Sequence, residues 1–182
     1  MKNNVLKGMI KSMKAIKNTD LNVKIVDIAD THSHYNRITK TIVIDMQRDK
    51  RNNKGTNSTF YHELGHHVDW ELGLPSHDNN FRLCLIVELR CILKRFDIEN
   101  LQNYISNTPK SNGLSDMLSG CTDKYMFKYK HSHKYWNTSK YRLPYEAFAH
   151  FYEATMRDDK YKIGLYKKYL PKSYNMFINM IK

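Results

Sequence analysis

His62, Glu63 and His66 stand in an H-E-x-x-H order inside the run STFYHELGHHVDWELG, Ser58 to Gly73. Imidazoles are nitrogen ligands and a carboxylate is a base, so the chemistry open to this run is metal binding coupled to proton transfer. On a helix, positions i and i+4 lie one above the other, and His62 and His66 can reach one zinc ion from a shared face. Glu63 is turned by about 100° from His62, which lets it reach a water on that ion without displacing either ligand. His67 is turned off the shared face and is left out of the site.

A catalytic zinc takes three protein ligands and keeps one position open, so a third ligand must come from elsewhere. A metzincin helix would continue with Gly three residues after the second histidine and His three further on. Asp69 and Leu72 hold those positions and exclude it. Beyond the helix the glutamates are Glu88, Glu99, Glu146 and Glu153. Glu88 lies 22 positions past His66, but its setting, LCLIVELRCIL, reads as a polar position on an amphipathic helix. Glu146, His150 and Glu153 recur at i, i+4 and i+7 and share one helical face, which is the better site. An exposed face carrying a salt bridge or two is the plain alternative for that trio.

The elements that must position these groups follow from pattern. The H-E-x-x-H run reads as a helix from Ser58, a suitable N-cap, to Leu72, closed by Gly73 and Pro75. NVKIVDIAD and KTIVIDM are short β-branched runs that read as strands of one small sheet, with THSHYNRITK as a turn-rich connection. NNFRLCLIVELRCILKRF reads as a second long helix. SNTPKSNGLSDMLSG and KYKHSHKYWNTSKYRLP read as loops. Helix resumes at PYEAFAHFYEATM, with Pro144 in its first turn, and again around IGLYKKYL and after Pro171. At the N-terminus Val5, Leu6, Met9, Ile10, Met13 and Ile16 recur at helical spacing opposite lysines, predicting an amphipathic helix over 1–18 that packs on the sheet.

At 182 residues the chain is expected to be a single domain, 1–182, able to bury a core without staples. The net charge of +12 would suit a polyanion partner. The lysines are scattered singly rather than massed, and charge alone does not make a nucleic-acid partner. Cys84, Cys91 and Cys121 form an odd set without CxxC and read as reduced core residues. No apolar run reaches signal-peptide or membrane-spanning length, LCLIV being the longest, so no membrane insertion is expected. The expected location is the cytoplasm of the producing cell, with export that needs no signal peptide, or virion association, left open.

HELGHHVDW, the distant EAFAHFYEA and the terminal LPKSYNMFINMIK together resemble the gluzincin-type zinc peptidases typified by the catalytic domain of anthrax toxin lethal factor. They are also similar to metallopeptidase-like proteins carried by phages and mobile elements, whose middle region resembles GLSDMLSG and HSHKYW. The resemblance spans roughly 41–182. It implies a zincin-like α+β fold: a small mixed sheet, an active-site helix and a mostly helical C-terminal half. It implies zinc held by His62, His66 and Glu146, with Glu63 as general base. It makes Asp69 an acceptor that orients a ligand histidine, and puts His150 behind Glu146 where the toxin has an acid. In the toxin pattern a tyrosine seven residues before the ligand glutamate supports the oxyanion. Ser139 stands there in this chain, leaving Tyr135 and Tyr141 as candidates, with Tyr135 preferred. His131 and His133 read as solvated loop histidines.

The expected function is zinc-dependent endopeptidase, with a zinc-activated water, Glu63 as its base and a peptide or protein as substrate. KTIVIDM is the expected edge strand for aligning substrate by strand addition, with the cleft between it and the Tyr/His-rich loop. A basic rim would favour acidic or extended polar peptides. Two readings compete. One is a zincin-fold accessory or head-morphogenesis protein that binds a phage or mobile-element assembly partner without cutting it. The other is an anti-repressor peptidase of the ImmA/IrrE type, against which the long interval between His66 and Pro144 speaks.

Overall fold

The computed structural model describes residues 20–27, 32–47, 58–106, 111–122, 127 and 130–182. The expected helix over 1–18 lies outside them. Among the described residues the fold is α+β, with strands β1 (Asn22–Val26), β2 (His34–Asn36) and β3 (Thr41–Asp45). The helices are α1 (Ser58–Glu71), α2 (Asn79–Arg95), α3 (Ile98–Ser106), α4 (Asn112–Cys121), α5 (His133–Trp136), α6 (Arg142–Met156), α7 (Lys160–Tyr169) and α8 (Pro171–Met180).

The sheet order is β1-β3-β2, with β1 parallel and β2 antiparallel to β3. The expectation of an edge strand at KTIVIDM is therefore corrected: β3 is paired on both sides, and β2, from the segment read as a connection, is an edge among the described residues. β2 escapes a periodicity reading because it has three residues, and the turn after it is tied by Asn36 Oδ1 accepting from Ile38 N and Thr39 N at 3.0 and 3.2 Å. Register places His34 opposite Val43 and Tyr35 opposite Ile42, whose side chain is fully buried.

α1 lies between the sheet and α6. It is buried from Glu63 to Asp69, which explains a run without a clean polar face: it is a central helix packed on two sides. The crossing with α6 is close because of Gly65. A Cβ there would meet Ala149 Cα at 2.9 Å and Tyr152 Cβ at 3.1 Å, so the two backbones approach where no side chain intervenes. Leu64, Val68, Phe148, Phe151 and Tyr152 fill the adjoining core. α1 ends at Gly73, whose φ of +80° closes it without steric cost.

α2 buries Phe81, Leu85, Leu89 and Ile92, a stripe at helical spacing, and is capped by Asp78, which accepts from Phe81 N at 2.8 Å. Glu88 is no metal ligand. Its carboxylate accepts from Lys172 N and Ser173 N, both at 2.9 Å, and from Ser173 Oγ at 2.6 Å, so it caps α8 from a neighbouring helix. The SNGLSDMLSG segment, read as loop, is helical α4. Leu114, Met117 and Leu118 are buried at i, i+3 and i+4, and tertiary burial overrides its Gly, Ser and Asn content. The cysteines are free, as expected, but Cys91 is exposed and Cys84 and Cys121 are half-buried, so they are not core residues. No described helix is long and apolar enough to cross a membrane.

Candidate metal centre

The α1–α6 crossing sets the site. Gly65 and Ala149 touch one turn along from His62 and Glu146, and this brings the α6 carboxylate against the two α1 imidazoles. His62 Nε2 lies 3.1 Å and His66 Nε2 3.6 Å from Glu146 Oε2. One ligand atom from each residue fits within 4.8 Å of the others. Glu146 is 2% exposed at its side chain, so this is not a solvated helix face.

Electrostatics suit a cation. Burial, with His150 nearby, pushes the His62 imidazole down to about 3, which leaves it neutral. Burial also opposes protonation of His66, but Glu146, Glu63 and Asp69 outweigh it and raise its pKa. Glu146 would be raised by burial, yet His66 and His62 hold it well below the carboxylate range. Glu63 follows His62 on α1, is buried, and its charge acts on both His66 and Tyr145. Two imidazole nitrogens and one carboxylate oxygen form a donor set that zinc accepts. The buried Nδ1 of His66 has no hydrogen-bond partner among the described residues.

Tyr135 comes to this centre and Tyr141 does not. The Tyr135 hydroxyl donates to Glu146 Oε1. Burial first, then the Glu146 charge, raises its pKa and keeps the phenol protonated. Tyr141 instead stacks on His77, with ring centroids 4.4 Å apart at 16°. Asp69 differs from expectation in its bonds. Its oxygens accept from Ser76 N at 2.9 Å and Ser76 Oγ at 2.6 Å, tying α1 to the turn after it, and its effect on His66 is through charge. Burial pushes the Asp69 carboxyl up to about 6 against those bonds. His67 lies outside the centre as read, with Nδ1 2.9 Å from the Tyr35 hydroxyl.

His150 stands behind the ligands, its ring centroid 4.5 Å from that of His62. Its Nε2 is 3.2 Å from Asp116 Oδ2. Asp116 also accepts from His131 N at 2.7 Å and lies 2.8 Å from His131 Nδ1. His131 is thus more than a loop histidine: its side chain stays 38% exposed, yet it is held by Asp116 and stacks on Tyr135, centroids 4.3 Å apart. His133 is exposed. Glu153, the last of the α6 trio, accepts from Ser58 Oγ and from Lys162 Nζ at 2.7 Å. The Ser58 hydroxyl therefore anchors α1 to α6.

Sequence reasoning missed Asp116 and Tyr145. Tyr145 stacks on His66 with centroids 4.0 Å apart at 15°. Its place beside Glu146 gave little signal, since adjacent helical positions are turned about 100° apart. Asp116 had none, because its segment read as loop.

A cleft of about 510 Å³ opens beside Tyr145, lined by β2 and its turn, Trp70, His77, Tyr141 and Arg142. It adjoins β2 and the Tyr/His-rich segment, where β3 was expected. No family model, curated protein or solved structure matches the chain.

Proposed function

We propose that the chain is a zinc-dependent endopeptidase of the gluzincin type, with His62, His66 and Glu146 as ligands and Glu63 as general base. The observation that carries this reading is the convergence of two α1 histidines with a glutamate 84 positions beyond His62, their ligand atoms inside 4.8 Å. When bound, zinc supplies Lewis acidity, bringing the pKa of water toward ~7 and polarising a peptide carbonyl.

The chain's own residues do the rest. His62, neutral through burial, carries one bare ring nitrogen and no positive charge to repel a cation. Glu63 takes the proton of the attacking water and returns it to the leaving amine. Tyr135 stays protonated, and to support the oxyanion that develops as the carbonyl becomes tetrahedral it would turn its one proton from Glu146 Oε1 to that oxygen. Asp116 holds His131, and His131 backs the Tyr135 ring, so the donor stays over Glu146.

Metal analysis of the purified chain should find one zinc per molecule. Chelation should abolish cleavage of a denatured-protein substrate, and added zinc should restore it. Glu63→Ala should keep the zinc and cleave slower by about 10²- to 10⁴-fold. A chain without stoichiometric zinc, or a variant that cuts as fast as the parent, removes the reading.

A further inference from the structure

We infer that the cleft beside the metal centre is a recognition site for an extended peptide segment bearing an acidic side chain, read by Arg37 and Arg142. This rests on the peptidase reading for its place next to Glu63, and goes beyond it in naming the substrate's charge.

Three observations converge. First, the cleft shares a wall with the centre, because Tyr145 lines it and stacks on His66 at 4.0 Å. A chain lying in the cleft is led directly to the ligands. Second, both arginines are fixed on aromatic faces. The Arg37 guanidinium stands 5.2 Å over the Trp70 ring and that of Arg142 stands 4.8 Å over Tyr135, with Arg142 Nε donating to Thr138 Oγ1 at 2.9 Å. Stacking occupies the face of a guanidinium and leaves its edge of N–H donors for a carboxylate. Third, neither arginine is ion-paired with a described carboxylate, and none of the described residues lining the cleft is acidic. Two immobilised cations facing one cleft without an acid are complementary to an anion supplied from outside.

The shape favours a peptide as that anion's carrier. One wall is β2, which pairs with β3 on one side and is an edge of the sheet among the described residues. An extended main chain can pair along such an edge while a side chain reaches toward Arg37 in the turn that follows. A phosphate backbone has no use for a strand edge and gains affinity from many dispersed cations rather than two.

The test is binding to full-length zinc-loaded Glu63→Gln protein, followed by fluorescence anisotropy with labelled ten-residue peptide pools. The pools carry a central Asp or Glu, the isosteric Asn or Gln, or Lys. The acidic pool should bind tighter than the amide pool by about tenfold or more. Arg37→Gln and Arg142→Gln should each erode that preference, and Arg142→Glu should shift it toward the Lys pool. Equal binding of acid and amide pools, or an unchanged preference in both Gln variants, would overturn the site. So would a short oligothymidylate that outcompetes the acidic pool. Cleavage by the parent without acidic preference sinks the recognition site alone. Acidic preference in binding with no cleavage by the parent sinks the peptidase reading alone.

Discussion

At the scale of single residues, the two tyrosines left open by the sequence are separated by what their hydroxyls and rings touch. Tyr135 donates to the Glu146 carboxylate, whereas Tyr141 uses its ring, stacked on His77. Removing one hydroxyl from each should therefore have unequal effects. Tyr135→Phe is expected to lower kcat by about 10- to 10³-fold, the range for losing an oxyanion donor, with KM and zinc content little changed. Tyr141→Phe keeps its stack and should leave turnover within a few-fold of the parent. Steady-state kinetics with metal analysis on both variants decides this, and equal losses would return the assignment to open. His62, Glu63 and His66 were legible because their relation is local, set by helical spacing alone. Glu146 was legible as a member of a furnished face. Asp116 was not, because its meeting with His150 spans 34 positions and depends on how α4 packs on α6.

At the scale of elements, the centre depends on how closely α1 and α6 approach, and Gly65 sets that distance. A Cβ at Gly65 would lie 2.9 Å from the Ala149 backbone, which can yield only by separating the helices. Gly65→Ala should therefore cost about 1–3 kcal/mol of stability and weaken zinc binding, because Glu146 moves off the imidazoles. Gly164, inside α7, has nothing within 4 Å of a built Cβ. Gly164→Ala should stabilise by about 0.5–1 kcal/mol through helix propensity and leave zinc affinity alone. Urea unfolding and competitive zinc titration on the pair measure both quantities, and a Gly65→Ala protein with parental zinc affinity would refute the account. Long elements such as α2 and α6 could be read from their apolar stripes. The position of β3 in the sheet could not, since strand order is decided by pairing between segments rather than by the segment's own residues. β2 and α4 were hidden for different reasons, one by shortness and the other by turn-forming residues that burial overruled.

At the scale of the whole molecule, one buried charge cluster ties α7 to the α1–α6 pair that the candidate metal centre already joins. Glu153 of α6 accepts from Ser58 at the start of α1, from Lys162 of α7 at 2.7 Å and from Arg157 at 3.0 Å. The Glu153 and Lys162 side chains are only 3% and 7% exposed, so water contributes little screening. Burial alone would raise the Glu153 carboxyl, but Lys162 and the Ser58 hydroxyl hold it at about 2, below its ordinary 4.5. A depressed carboxyl stabilises the fold fully above its unfolded value, and that contribution fades as pH falls from 4.5 through about 2. A shift of this size corresponds to ~3 kcal/mol. Glu153→Gln should lose that share of the acid dependence. At pH 7 it should also be less stable by about 3–5 kcal/mol, because Lys162 is left buried without its anion. Glu153→Gln with Lys162→Met removes the stranded charge as well and should recover much of the loss. Urea unfolding of parent, single and double variants at pH 7, 4.5 and 3 isolates the effect from the general repulsion of a chain carrying +12 at neutral pH, since that background is nearly common to all three. A single variant that matches the parent at pH 7, or that keeps the parent's slope between pH 4.5 and 3, would show that the cluster does not hold α1, α6 and α7 together.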